Sequence, residues 1–146
     1  MAKPPTVYVL NGPSLNLLGT REPEIYGTDS LDDIAERLSR QAEELGVEVD
    51  IRQSNHEGHL IDWLHEAQAR KARAVIINPG GYSHTSVALH DAVKAIATPV
   101  IEVHLSDPET RESFRHTDLV ALAATSLIKG KGARGYSLAL DAAARL

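Results

Sequence analysis

Two apolar runs, AVIIN at residues 74–78 and PVIEVH at residues 99–104, constrain the fold of this chain more than any other feature. Both are β-branched and almost unbroken, the pattern of strands covered on two faces rather than one. Residues 7–10, 47–52 and 123–128 read as three further strands, with residues 74–78 and 100–104 as the third and fourth in order. Helical patterns lie between and after them. Residues 30–45 carry Leu31, Ile34, Ala35, Leu38, Ala42 and Leu45 at helical spacing. Ser30 with Asp33 forms an acidic variant of a capping box, and Gly46 suits the stop. Residues 57–70 place Leu60, Ile61, Leu64 and Ala67 on one face, and a third helix spans residues 86–97, ahead of Pro99. Asp107-Pro108 suits a short fourth helix with proline in its first turn, and residues 133–146 form the fifth. Five β-then-α units predict one α/β domain over residues 1–146: a flavodoxin-like, doubly wound, five-stranded parallel sheet with helices on both faces. No repeat, linker or low-complexity segment interrupts it.

Ligands of such sheets sit beyond the carboxyl ends of the strands. That nominates residues 11–27, the Asn78-Pro79-Gly80-Gly81 turn, and His104-Leu105-Ser106. The first is the longest. Gly12, Pro13, Gly19 and Pro23 forbid a helix of usual length across NGPSLNLLGTREPEIYG, and loops this long in small domains are often lids or binding loops. It sets Arg21 five residues before Tyr26. A free phenol ionises only near pH ~10. A guanidinium about 4 Å away contributes on the order of 4 kcal/mol toward the phenolate at an effective dielectric near 20, so the pair can make a base.

Charge and composition narrow the partners. A formal net charge of −5 with scattered Lys and Arg argues against a general nucleic-acid binder. An anionic substrate therefore needs local positive charge. The chain has no cysteine, which removes disulfides, thiol nucleophiles and cysteine-zinc sites. The start, MAKPPTVYVLNG, lacks the apolar core of a signal peptide and no apolar run reaches membrane length, so a cytoplasmic location with no membrane partner is expected.

Several patterns have bland readings. GKGARG at residues 130–135 fits G-x-G-x-x-G, but only eleven residues follow, too few for the second strand and acidic residue of a dinucleotide site; it is a tight turn. HEGHLIDWLH is not H-E-x-x-H, and His59, Asp62 and His65 belong to a solvated helix face. No G-x-S-x-G elbow occurs. NPGGYSHTS, residues 78–86, reads evenly as an anion site at a helix N-terminus or as a structural β–α turn with serine as cap. Glu102 and His104 lie two apart on a strand and share a face. A carboxylate there raises and orients an imidazole, as a general acid requires, although an ion pair at a strand end is the commoner meaning. Arg111 and Arg115, four apart, share a face of the short helix.

NGPSLNLLGTREPEIYG, QSNHEGHLIDWLHEA, NPGGYSHTSVALHDA and IEVHLS…R…FRH resemble, in order and spacing, the type II 3-dehydroquinate dehydratases, over nearly the whole chain. The resemblance implies a flavodoxin-like subunit of a homododecamer, with no metal and no organic cofactor. It implies anti elimination of water from 3-dehydroquinate through an enolate. By motif, Tyr26 resembles the base that takes the C2 proton, with Arg21 beside it. His104 matches the proton donor to the departing C1 hydroxyl, oriented by Glu102. Asn78, His84, Leu105, Ser106 and Arg115 match substrate-binding positions, Arg111 a second arginine near the site, and Asp91 a residue reaching a neighbouring subunit's site.

The chain departs from the family at Ser14 and Asp107, where asparagine is usual, and at His90, where arginine is common. The stretch TDLVALAATSLIKGKGARG is less typical and is expected to lie away from the chemistry. Two other functions compete. A flavin carrier would need more aromatics than the 4% present. A degenerate member kept as a scaffold would draw its support from Ser14. Of the lysines that an imine mechanism would need, only Lys129 ends a strand.

Overall fold

The computed structural model describes residues 3–146. Strand β1 (Thr6–Asn11) leads through a 3-10 turn (Leu15–Leu17) and a single helical turn, α1 (Pro23–Tyr26), into helix α2 (Leu31–Leu45). Then come β2 (Glu48–Gln53), α3 (Glu57–Ala69), β3 (Ala74–Asn78), the one-turn α4 (Tyr82–Thr85), α5 (Val87–Ala95) and β4 (Val100–His104). Two 3-10 turns, Pro108–Thr110 and Ser113–Arg115, precede β5 (Ser126–Lys129) and α6 (Arg134–Ala144).

All five strands are parallel, in the order β2-β1-β3-β4-β5. This is the flavodoxin-like order, and the direction of strand succession reverses between β1 and β3, where the carboxyl ends open a crevice. Alternation along the strands divides the core. Val7, Val9, Ile76, Ile101 and Val103 face α2 and α6, with Ile34, Leu38, Ala139 and Leu140 above them. Tyr8, Leu10, Val75, Ile77 and Val100 face α3 and α5, against Leu60, Leu64, Leu89 and Val93. β3 and β4 are buried throughout, as their composition requires.

Helix α2 begins as expected. Ser30 Oγ accepts from the Asp33 N–H at 3.1 Å while Asp33 accepts from the Ser30 N–H at 3.0 Å, a reciprocal cap whose loss costs about 1 kcal/mol. Gly46 closes it in the left-handed region at φ 73°.

Three expectations need correction. The strand placed at 123–128 starts only at Ser126, because residues up to 125 turn under β4 and the Thr125 N–H bonds to the Val100 carbonyl. The helix read as 86–97 is shorter and is preceded by the separate α4 turn, with Ser86 as the N-cap of α5, accepting from the Leu89 N–H at 2.8 Å. The short helix after Asp107-Pro108 does not carry Arg111 and Arg115 on one face. The chain is extended at Arg111 (φ −111°, ψ −161°), which separates two 3-10 turns.

Candidate active site

The crevice at the β1/β3 reversal holds a cavity of about 260 Å³. Its floor is built from strand ends. Asn78, the last residue of β3, is 3% exposed, yet its amide borders the cavity. Its Nδ2 donates to the Tyr136 hydroxyl at 3.0 Å, and its Oδ1 accepts from the Gly80 N–H at 3.2 Å. The Tyr136 hydroxyl in turn donates to Asn11 Oδ1 at 2.6 Å. This buried chain fixes the two asparagines that end β1 and β3 and leaves one Asn78 N–H for a ligand.

On β4, Glu102 and His104 share a face as their spacing requires. His104 Nε2 lies 2.5 Å from Glu102 Oε2 and 3.5 Å from Asp118 Oδ2. Burial opposes charge on the imidazole, but the bonds to Asp118 and Glu102 outweigh it and raise its pKa to about 9. Burial pushes Glu102 up to about 7, opposed by His104 and reinforced by Asp118. Its Oε1 has no hydrogen-bond partner among the described residues. With Nε2 committed to carboxylates, the neutral ring carries its proton there. The proton available at Nδ1 therefore belongs to the imidazolium, and raising His104 supplies it.

Asp118 went unforeseen. It sits in the stretch expected to be peripheral, and that expectation fails because residues 117–119 fold back over the strand ends. The Thr117 carbonyl accepts from His84 Nδ1 at 2.8 Å, and the Leu119 N–H donates to the Ser83 carbonyl at 2.7 Å. His84 is thereby fixed with Nδ1 protonated and Nε2 left for a ligand. A carboxylate three residues after Arg115 was the only hint in the sequence. Nothing in the sequence around Tyr136 marks it for the site.

The loop at residues 11–27 forms the opposite wall. Gly12 donates its N–H to the Asn78 carbonyl at 2.8 Å, and a Cβ there would lie 2.6 Å from the Pro79 carbonyl oxygen. Only glycine lets the two loops touch. Leu15 and Leu18 anchor the loop in the α2 face of the core. Ser14 is left-handed at φ 67°, donates its N–H to Asn55 Oδ1 at 3.0 Å, and borders the cavity. Farther on, the Arg21 guanidinium stands 4.7 Å and that of Arg111 5.1 Å from the centre of the Tyr26 ring. Both lie within cation–π range, so the expected Arg21–Tyr26 pairing is present with a second cation added.

Arg21, Tyr26, Asn78, His84, His104, Leu105, Ser106, Arg111 and Arg115 all line the cavity. Although they lie on different turns, Arg111 and Arg115 converge. Arg111 Nη1 donates to Ser106 Oγ at 3.4 Å, and Glu112 sits between the arginines, 2.7 Å from Arg115 Nε. Glu102 does not line the cavity; it lies behind His104. Asp91 stands apart, its side chain 69% exposed on α5 and paired with His90 at 3.0 Å.

Of the two even readings of NPGGYSHTS, the local hydrogen bonding favours the structural turn. The N–H groups of Tyr82, Ser83 and His84 bond to the carbonyls of Pro79, Gly80 and Gly81. Positive charge comes instead from three guanidiniums, which suit a carboxylate by bidentate bonding. Lys129 is held away by Asp107 at 3.4 Å and Glu109 at 3.3 Å. Burial opposes its charge, but the two carboxylates raise it, the reverse of what an imine-forming amine requires. Glu102, His104 and Asp118 are the one cluster of metal-ligand type among the described residues. Two ligands of a tetrahedral zinc stand about 3.3 Å apart at usual bond lengths, so the 2.5 Å contact of Nε2 with Oε2 is that of a hydrogen bond.

Comparison with known proteins shows the family and the fold. The family model described as dehydroquinase class II matches residues 5–144. The 3-dehydroquinate dehydratase of Phenylobacterium zucineum is 58% identical over 146 residues, covering 100% of this chain and 99% of that one. The 3-dehydroquinate dehydratase of Caulobacter vibrioides is 58% identical over 98% of this chain and 96% of its own. Among solved structures, the type II dehydroquinase of Propionibacterium acnes superposes with a TM-score of 0.93 at 43% identity, covering 100% of this chain and 99% of that chain. That of Butyrivibrio crossotus superposes with a TM-score of 0.94 at 36% identity, over 97% and 99%.

Proposed function

The chain belongs to the class II dehydroquinase family, and on that premise we propose how its cavity removes water from 3-dehydroquinate. As a 3-dehydroquinate dehydratase it is a hydro-lyase. In the proposed reaction Tyr26, as phenolate, takes the C2 proton and leaves an enolate. The C1–O bond then breaks, and the His104 imidazolium gives its proton to the departing hydroxyl, which leaves as water. Tyr26 ends protonated and His104 neutral, and exchange with solvent restores both. The elimination is anti, with base and acid on opposite sides of the ring.

The observation that carries this reading is the opposed electrostatics of two groups on one cavity: Tyr26 beside two guanidiniums, and His104 against two carboxylates. The carboxylates favour a cation at His104, and the guanidiniums bring positive charge to the Tyr26 side of the cavity. Arg21, Arg111 and Arg115 also supply the positive charge for the substrate carboxylate, while Asn78, His84 Nε2 and Ser106 offer polar contacts and Leu105 an apolar wall. A twelve-subunit assembly in which Asp91 reaches a neighbour's cavity belongs to the same reading. Asp91 is exposed and does not line its own cavity, which leaves it free to reach another subunit's.

Mixing the protein with 3-dehydroquinate and following the ultraviolet absorbance of the conjugated product tests the reaction; no product above background overturns it. Turnover is expected to survive borohydride in the presence of substrate, because no imine forms. Light scattering tests the assembly, and a clean monomer removes Asp91 from the site.

A further inference from the structure

We propose that Asp118 is a positioning residue for the reaction: together with Glu102 it holds one nitrogen of His104, keeping the ring in the cationic form whose opposite nitrogen surrenders a proton. The proposal rests on His104 being the acid, as read above.

The segment carrying Asp118 is tied down on both sides. Thr117 bonds to His84 and Leu119 to Ser83. Asp118 Oδ1 accepts from the Ala121 N–H at 3.0 Å, which turns Oδ2 toward His104 Nε2 at 3.5 Å. The side chain is only 20% exposed. Nε2 carries one proton, and Glu102 at 2.5 Å accepts its hydrogen bond. Asp118 therefore acts mainly through its charge. It can keep that charge: burial works against its ionisation, but the neighbouring imidazolium and the Ala121 N–H outweigh it and hold the carboxyl below its usual range. Glu102, in contrast, is pushed up by burial, so Asp118 is the more dependable anion of the two. The other titratable or charged groups near His104 are His84, Tyr26 and the cavity arginines on the cavity side, and Lys129 opposite it on β5, a cation held by Asp107 and Glu109. None of these duplicates an anion behind Nε2.

Asp118→Asn is the test, because its amide oxygen still accepts from Ala121 and only the charge is lost. The His104 imidazole titration, followed by NMR on histidine-labelled protein, is expected to drop by about one pH unit or more. The alkaline limb of the kcat profile is expected to move down by the same amount, while KM below that limb stays unchanged. A loss of kcat uniform in pH, with the His104 midpoint unmoved, overturns the proposal and leaves Asp118 a structural cap. A midpoint that falls while the kcat limb stays fixed overturns the assignment of His104 as acid, and the catalytic role of Asp118 with it. Should Asp118→Asn fold poorly, Asp118→Ser retains an acceptor for Ala121, and the same outcomes decide.

Discussion

The strand-end and loop halves of the cavity are built in opposite ways. Asn78 and His104 end β3 and β4, Glu102 lies two residues before His104, and none is more than 7% exposed. Asn78 is bonded to Tyr136 of α6, and Glu102 and His104 to each other, with Asp118 3.5 Å from the imidazole. Arg21 and Tyr26 ride on a half-exposed loop with two non-glycine residues in the left-handed region, Ser14 and Glu22. The loop is secured by two buried leucines, the Gly12 contact and the Ser14 N–H bond to Asn55. Chemistry and stability are thus inseparable in the strand-end half and separable in the loop half. Buried polar groups are costly when a partner is lost, whereas a loop side chain can be changed with little effect on the fold.

The largest expected effects probe that difference directly. Tyr26→Phe should lower kcat about 10³-fold, the usual scale of a lost proton-transfer group, with the unfolding midpoint unchanged. His104→Ala should lower kcat comparably and also cost about 3 kcal/mol of stability, because Glu102 is left buried without its partner. Turnover assays paired with urea unfolding check both. Equal stability losses in the two variants would break the distinction.

Gly12 joins the halves, and the next effect is expected there. In Gly12→Ala the new methyl meets a backbone carbonyl at 2.6 Å, so the loop must move as a body. A cost of about 1–3 kcal/mol is expected, as for overpacking, with kcat falling about tenfold. Unfolding and turnover together measure it.

A weaker effect is confined to the strand-end half. Both Glu102 and His104 bind protons more tightly folded than unfolded, so their stabilisation is complete below the unfolded values, 4.5 and 6.5. It is lost as pH rises through about 7 for Glu102 and about 9 for His104. Unfolding free energy should therefore decline from pH 5 to beyond 9. In His104→Ala the part of the decline near 9 should vanish.

Most of the fold was legible because β3 and β4 announce themselves as apolar runs, and Ser30, Asp33 and Gly46 mark their helix. The Glu102–His104 contact followed from a period of two, and the Arg21–Tyr26 contact from a short loop. What stayed hidden depends on long-range return of the chain. Asp118 lies 14 residues beyond His104 and Tyr136 125 beyond Asn11, and nothing local in either segment says which strand end it meets. The Arg111–Arg115 spacing misled for a local reason: the chain is extended at Arg111, so the two arginines reach the cavity from separate turns rather than along one helix.

Ser14 offers the smallest test, at the edge of the loop half. At φ 67° it occupies a region that asparagine adopts more readily than serine. Its side chain makes no capping bond, although the residue borders the cavity. Ser14→Asn should therefore relieve backbone strain by about 0.5 kcal/mol and place an amide, with a longer reach and a second donor, beside the cavity. If preorganised donors on this wall stabilise the enolate, often the largest catalytic contribution, kcat should rise a few-fold, with KM and the alkaline limb unchanged. A gain in stability without a gain in kcat would assign Ser14 to the loop's conformation alone. A shift in the alkaline limb would couple this wall to His104, and the two halves would then not be separable.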